Sequence, residues 1–133
     1  MAECQHSSFS DFALHLHTNT IGPIICAQKL VNLDPESPPS KVVFISSDSG
    51  SASLFRDDED GFGAYSASKA ALNQMLRHMA AELKRRGGKY SSACVLAMHP
   101  GEVRTCVNHF WKLDRKLTDD IAETWPILIL AGK

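Results

Sequence analysis

The chain has 133 residues, a length that suits one domain, and its 44% hydrophobic content is that of a globular protein rather than a disordered tail. Fourteen Lys and Arg against fifteen Asp and Glu leave a net charge of −1, which excludes the basic stripe of a dedicated nucleic-acid binder. No apolar run approaches the ~20 residues of a membrane span.

The opening residues, Met1 to Ser8, have neither a basic region nor an apolar one, so no secretory signal is expected. Residues 9–33 read as helix, with Phe12, Leu16, Thr20, Ile24 and Ala27 recurring at helical spacing. Gly22-Pro23 interrupts the pattern, and the proline either kinks the helix or marks its start. Residues 34–40 form a linker, since three closely spaced prolines cannot continue a helix. Residues 41–46 follow as a short buried strand of β-branched and aromatic residues. A Ser-, Gly- and Asp-rich loop occupies residues 46–63, with Asp57-Asp-Glu-Asp60 at its centre.

The clearest helix spans residues 65–86, where Leu72, Met75, Leu76, Met79 and Leu83 make an apolar stripe opposite Asn73, Arg77, Glu82 and Lys84. The cations Lys84, Arg85 and Arg86 complement its C-terminal dipole, and Gly87-Gly88 ends it. Residues 92–98 read as a second buried strand, closed by His99-Pro100-Gly101. A short helix is expected within residues 111–120 and an apolar segment over 121–130. Cys4, Cys26, Cys94 and Cys106 form no CxxC pair, so buried, reduced thiols and a cytoplasmic setting are expected.

Strand, loop, helix, strand and Pro-Gly loop make a βαβ unit, which implies a parallel crossover. In open parallel sheets the ligand crevice lies beyond the strand C-termini. Those ends are Ser46-Ser47 and His99-Pro100-Gly101, where the small and polar residues concentrate.

Tyr65 and Lys69 lie four apart, on one helical face. A phenol ordinarily titrates near ~10, and a nearby cation favours its phenolate. Such a group can exchange a proton with an alcohol or carbonyl. Taken alone, the pair is more often an exposed structural contact. Its surroundings change that reading.

The segment from Gly63 to Asn73, GAYSASKAALN, resembles the active-site helix of the short-chain dehydrogenase/reductase family, with its Tyr-x-x-x-Lys signature. The strand end Val-Val-Phe-Ile-Ser-Ser-Asp-Ser-Gly50 is similar to the family's serine-bearing strand. His99-Pro-Gly-Glu-Val-Arg-Thr105 is similar to its Pro-Gly-x-x-x-Thr loop, and His17-Thr-Asn-Thr-Ile-Gly22 resembles the helix bearing its fourth catalytic residue. The Ala-Ala-Leu-Asn-Gln string and the His-Pro-Gly loop resemble the C-factor-like branch of carbonyl reductases.

The resemblance covers roughly residues 11–105. It implies an α/β fold, part of a Rossmann-like, doubly wound parallel sheet, and an NAD(P)-dependent oxidoreductase acting on small alcohols or carbonyls. It also implies roles. Tyr65 is the general acid or base, and Lys69 supports it and bonds the nicotinamide ribose. Ser47 donates to the substrate oxygen, and Asn19 holds a backbone carbonyl and a water for proton relay. Pro100, Gly101, Val103 and Thr105 border the nicotinamide of NAD or NADP. Residues 22–33 and 65–86 match helices that often build the family's dimer face, so a homo- or hetero-oligomer is expected.

Two departures stand out. The stretch between Ser47 and Tyr65 is longer than usual, the excess falling within residues 54–60, where it can bulge outward. The sequence also holds no Gly-x-x-x-Gly-x-Gly string, the turn that leads the pyrophosphate to a helix N-terminus. The expectation is therefore a single partial domain: a helix over 9–33, the βαβ unit over 41–99 and a C-terminal segment over 100–133. It lacks the N-terminal nucleotide-binding βα units and exposes an apolar strand edge. Weak cofactor binding follows, and a catalytically inactive fragment that pairs with a full-length relative is the alternative.

Other constellations carry less. His15-x-His17 lacks further ligands at metal spacing, so no metal is expected. The acidic run lacks the spacing of a calcium loop. His99 has no Gly-x-Ser-x-Gly elbow to serve as a hydrolase base.

Overall fold

The computed structural model describes residues 8–54, 62–101 and 128–129. Helix α1, Phe9–Leu16, starts on Ser8, whose hydroxyl accepts from the Asp11 amide as an N-cap does. The helical backbone continues through a π turn, His17–Ile21, into α2, Gly22–Val31. Pro23 accounts for the turn. Having no N–H, it cannot donate to the carbonyl four residues back, which is that of Asn19. The Gly22 amide donates to His17, five residues back. Local widening to π geometry absorbs the missing bond. Pro23 thus opens the second α-helical segment without interrupting the backbone.

Strand β1, Lys41–Ile45, is followed by two short 3₁₀ turns, Asp48–Gly50 and Ala52–Leu54. Helix α3 runs Gly63–Arg86, two residues earlier than the sequence predicts, and ends on Gly87 at φ +67°. A 3₁₀ turn, Gly88–Tyr90, leads to β2, Cys94–Met98. β1 and β2 pair in parallel, Lys41 against Cys94 through Ile45 against Met98. The ladder extends at both ends: the Cys94 amide donates to Ser40 and the Ser46 amide to Met98, at 2.9 and 2.7 Å. The βαβ unit is present, and the fold is α/β. A two-residue β3, Leu128–Ile129, pairs antiparallel on the far side of β2. The helix expected within 111–120 lies outside the described residues.

The core joins Ile24, Ala27 and Val31 of α2 to Leu72, Leu76, Met79 and Leu83 of α3, and to Phe44, Val95 and Ala97 of the sheet. Leu76 is completely buried. Several expectations are corrected. The strands are buried on one face only: Val43 and Ile45 are 51% and 53% exposed, Met98 37%. Successive strand residues point to opposite faces, and the helices that bury this sheet all pack on one of them. Met75 leaves the apolar stripe, 40% exposed, because it lies off the line that meets the sheet. Phe12 is likewise exposed. Cys26 is exposed and Cys94 half-buried, both free: Cys26 stands between the inward Ile24 and Ala27 and turns outward. Cys4 and Cys106 lie outside the described residues.

Among the described residues β1 has no neighbour on its outer side, the sheet order being β1-β2-β3. No helix among them is long and apolar enough to cross a membrane.

Candidate active site

The polar residues gather where the N-terminal half of α3 meets the tip of β1 and the π turn. Lys69 is buried, its Nζ donating to the Ile45 carbonyl at 2.9 Å and lying 5.7 Å from the centre of the Tyr65 ring. Four-residue spacing delivers this pair to one side of the helix. Burial holds the Lys69 ammonium below the ordinary lysine range, since removal from water disfavours the charged form. One turn later Asn73 takes a 2.6 Å bond from the Ser46 hydroxyl. Lys69 and Asn73 together pin the strand tip to α3.

The serine turn is pressed onto the same helix. A Cβ at Gly50 would stand 2.7 Å from the Lys69 carbonyl carbon and 2.8 Å from the Ala70 nitrogen, so only a glycine allows this approach. Ser47 is buried in that turn. Its Oγ accepts from the Ser49 amide at 3.2 Å and lies 3.4 Å from Asp48 Oδ1. The turn is therefore beside Lys69, while the Ser47 hydroxyl is engaged by its own loop.

Asn19 sits in the π turn and reaches α3 through Ser68, a fully buried residue. The Asn19 amide donates to Ser68 Oγ at 3.0 Å, and Ser68 Oγ donates back to the Tyr65 carbonyl at 2.6 Å. The neighbouring Thr20 hydroxyl donates to the Ser68 carbonyl at 2.7 Å. Asn19, Tyr65 and Lys69 are thus tied into one cluster. Ser68, Thr20 and Asn73 are polar residues in this cluster to which the sequence reading gives no role. Ser68 and Asn73 lie inside the GAYSASKAALN segment, at steps of three and four from Tyr65 and Lys69, and that spacing could have found them.

At the end of β2, His99 Nε2 stands 3.6 Å from Asp48 Oδ1, so the two strand tips face each other. His99 Nδ1 is buried without a hydrogen-bond partner. Gly101, at φ +70°, takes the left-handed conformation that glycine tolerates. Pro100 and Gly101 are half-buried there, whereas Val103 and Thr105 lie outside the described residues. Among the described residues no group of three or more His, Cys, Asp or Glu could hold a metal.

This arrangement meets a family. The model of the short chain dehydrogenases matches residues 1–116, and the chain belongs to that family. It is 38% identical over 96 residues to an uncharacterized oxidoreductase of Saccharomyces cerevisiae, covering 72% of this chain and 35% of the relative. An uncharacterized oxidoreductase of Schizosaccharomyces pombe is 34% identical over 94 residues, 71% and 34% of the two chains. NADPH-dependent aldehyde reductase 2, chloroplastic, of Arabidopsis thaliana is 32% identical over 110 residues, 79% and 37%. The chain spans about a third of the length of these relatives.

Proposed function

We propose that these residues form the catalytic, C-terminal part of an NAD(P)-dependent oxidoreductase of the C-factor-like carbonyl reductase branch, interconverting small carbonyls and alcohols. The observation that carries the reading is the burial of Lys69 between the β1 tip and the Tyr65 ring. A buried ammonium beside a phenol suits proton exchange, because it favours the negative charge that develops on the phenol oxygen. Membership of the family and the NADPH-dependent aldehyde reductase among the relatives support the same chemistry.

In this reading Tyr65 gives its proton to the carbonyl oxygen during reduction and takes it back during oxidation. Lys69 stabilises the negative charge that develops on the phenol oxygen. Ser47 turns its hydroxyl from Asp48 toward the substrate oxygen, an oxyanion-type contribution. Asn19 holds a backbone carbonyl and the water that connects Lys69 to solvent.

The residues fit the nicotinamide end of a dinucleotide. His99 Nδ1 is an orphaned polar atom at the strand tips, beside the left-handed backbone of Gly101. Lys69 and Tyr65 would hold the ribose, with Pro100, Gly101, Val103 and Thr105 beside the ring. When bound, the cofactor supplies the hydride. The adenine end has no Gly-rich turn in this sequence, so weak binding by the isolated chain is expected by calorimetry, and tight saturable binding would contradict it.

The chain acts as a single unit in this proposal. It pairs with a second copy or a longer relative through α2 and α3, whose Ile25, Leu30 and Met75 are exposed. That pairing would also serve an inactive paralogue. The free thiols Cys26 and Cys94 fit a cytoplasmic setting. The deciding measurement is NADPH oxidation with simple aldehydes and quinones by the wild type and Tyr65→Phe. A loss of at least about a hundredfold is expected; equal rates would remove Tyr65 from the chemistry.

A further inference from the structure

The geometry points to His15 as a positioning residue for Tyr65, closing a ring of contacts that orients the phenol and opens when the imidazole is protonated. The inference deepens the reading of Tyr65 as the proton-exchanging group and rests on it for its catalytic meaning. His15 is half-buried on α1, one turn before Asn19. Its ring meets the Tyr65 ring edge-on, centroids 6.0 Å apart and planes at 76°, the geometry that aromatic quadrupoles favour.

The same ring turns Nδ1 toward the Asn19 amide at 3.4 Å, and that amide donates to Ser68 Oγ, which donates to the Tyr65 carbonyl. The path is closed: Tyr65 side chain, His15, Asn19, Ser68, Tyr65 backbone. Tyr65 is therefore gripped at both ends by residues of one circuit, and His15 is the member that touches its ring.

The circuit depends on a proton. Asn19 Nδ2 is a donor, so His15 Nδ1 completes the loop only as an acceptor, with the proton on Nε2. An imidazolium presents N–H on both sides, and two donors would then face each other across 3.4 Å. It would also place a second cation near the phenol that Lys69 already approaches from α3 at 5.7 Å. On its own helix the nearest ionisable groups are Asp11, one turn earlier and engaged by the Ser8 hydroxyl, and His17 in the π turn. A proton added at Nδ1 therefore breaks this contact and frees the Tyr65 ring from it.

The test reads the contacts first and turnover second. In the isotope-labelled full chain, the His15 ring nitrogens, the Asn19 side-chain amide and the Tyr65 ring signals are followed by NMR from mildly alkaline to mildly acidic pH. The inference expects neutral His15 in the Nε2–H tautomer. It expects the Asn19 and Tyr65 signals to shift with the same midpoint as His15, and His15→Gln to abolish that inflection. The opposite tautomer, or Tyr65 and Asn19 signals that ignore the titration of His15, would overturn it, and the wild-type titration decides even should the variant fail to fold.

Where the wild type oxidises NADPH with aldehydes, His15→Phe keeps a ring against Tyr65 but removes the acceptor. It should lower kcat about tenfold with little change in KM, within the cost of a small misplacement of a catalytic group, and shift the acid limb of the pH profile. An unchanged kcat and profile would overturn the inference. Absence of turnover in the wild type counts against the oxidoreductase reading alone, and the NMR result then decides for His15.

Discussion

The two faces of the small sheet differ sharply although one pair of strands supplies both. Val42, Phe44, Val95 and Ala97 meet the helices, and Phe44, Val95 and Ala97 are buried in the core. On the reverse, Val43, Ile45 and Met98 are no less apolar yet stand open. Parallel strands read as continuous hydrophobic runs because such sheets are ordinarily covered on both faces. The difference teaches that composition reports the surroundings a strand is suited to, and that burial depends on which covering elements are there. It also explains why the polar cluster is well formed: Lys69, Ser68 and Asn73 belong to the covered side.

The largest expected effect breaks that covered side. Leu76→Ala removes a side chain with no exposure and should cost about 2–5 kcal/mol, through lost transfer energy and the cavity left behind. Val43→Thr on the open face should stay within about 0.5 kcal/mol, as exposed substitutions do. Urea unfolding of both variants measures the contrast. Comparable losses would mean that the open face is covered in solution, by a second copy or another part of a longer chain.

A smaller effect sharpens the comparison at the site. Gly50→Ala drives a methyl into the α3 backbone at Lys69 and Ala70, where no flexible side-chain end can yield, and should cost about 1–3 kcal/mol. Because the strain falls on the serine turn, any NADPH-dependent turnover should fall as well. A neutral Gly50→Ala would show that the turn does not rest on α3. Ser68→Ala comes next, at about 1–2 kcal/mol: the Asn19 amide keeps only its long contact to His15, and a half-buried donor loses its best acceptor.

The elements were legible in sequence where local physics determines them. The period of Leu72, Leu76, Met79 and Leu83 and the glycines at 87 and 88 determine α3, and the β-branched run determines β1. The pairing of Tyr65 with Lys69 follows from spacing along one helix. What spacing cannot show is contact between elements. The bond from Asn19 to Ser68 joins residues far apart in the chain, and the edge contact of His15 with Tyr65 depends on how α1 lies across α3. The π turn was half legible: Pro23 announces a lost hydrogen bond, and only the fold decides whether the helix ends, bends or widens there. The exposure of Val43, Ile45 and Cys26 was misread because apolar neighbours in sequence need not have partners in space.

The smallest expected effect is a slope. Burial disfavours the charged form of Lys69, so its folded value lies below the ordinary lysine value near ~10.4. Between the two values the unfolded chain binds the extra proton, and stability rises with pH across that window. Below the folded value the ammonium is charged in both states and the burial penalty is constant. Lys69→Met has no such group, so the stability difference, wild type minus variant, should be flat near neutrality and climb as pH approaches the lysine range. At neutral pH the variant loses the bond to the Ile45 carbonyl but sheds the cost of desolvating an ammonium. These terms oppose each other, and the sign of that offset decides nothing. The slope does decide. Parallel curves would show that Lys69 is solvated in solution, and a difference that falls with pH would show that the fold favours its ammonium; either outcome would remove the burial penalty from the covered face.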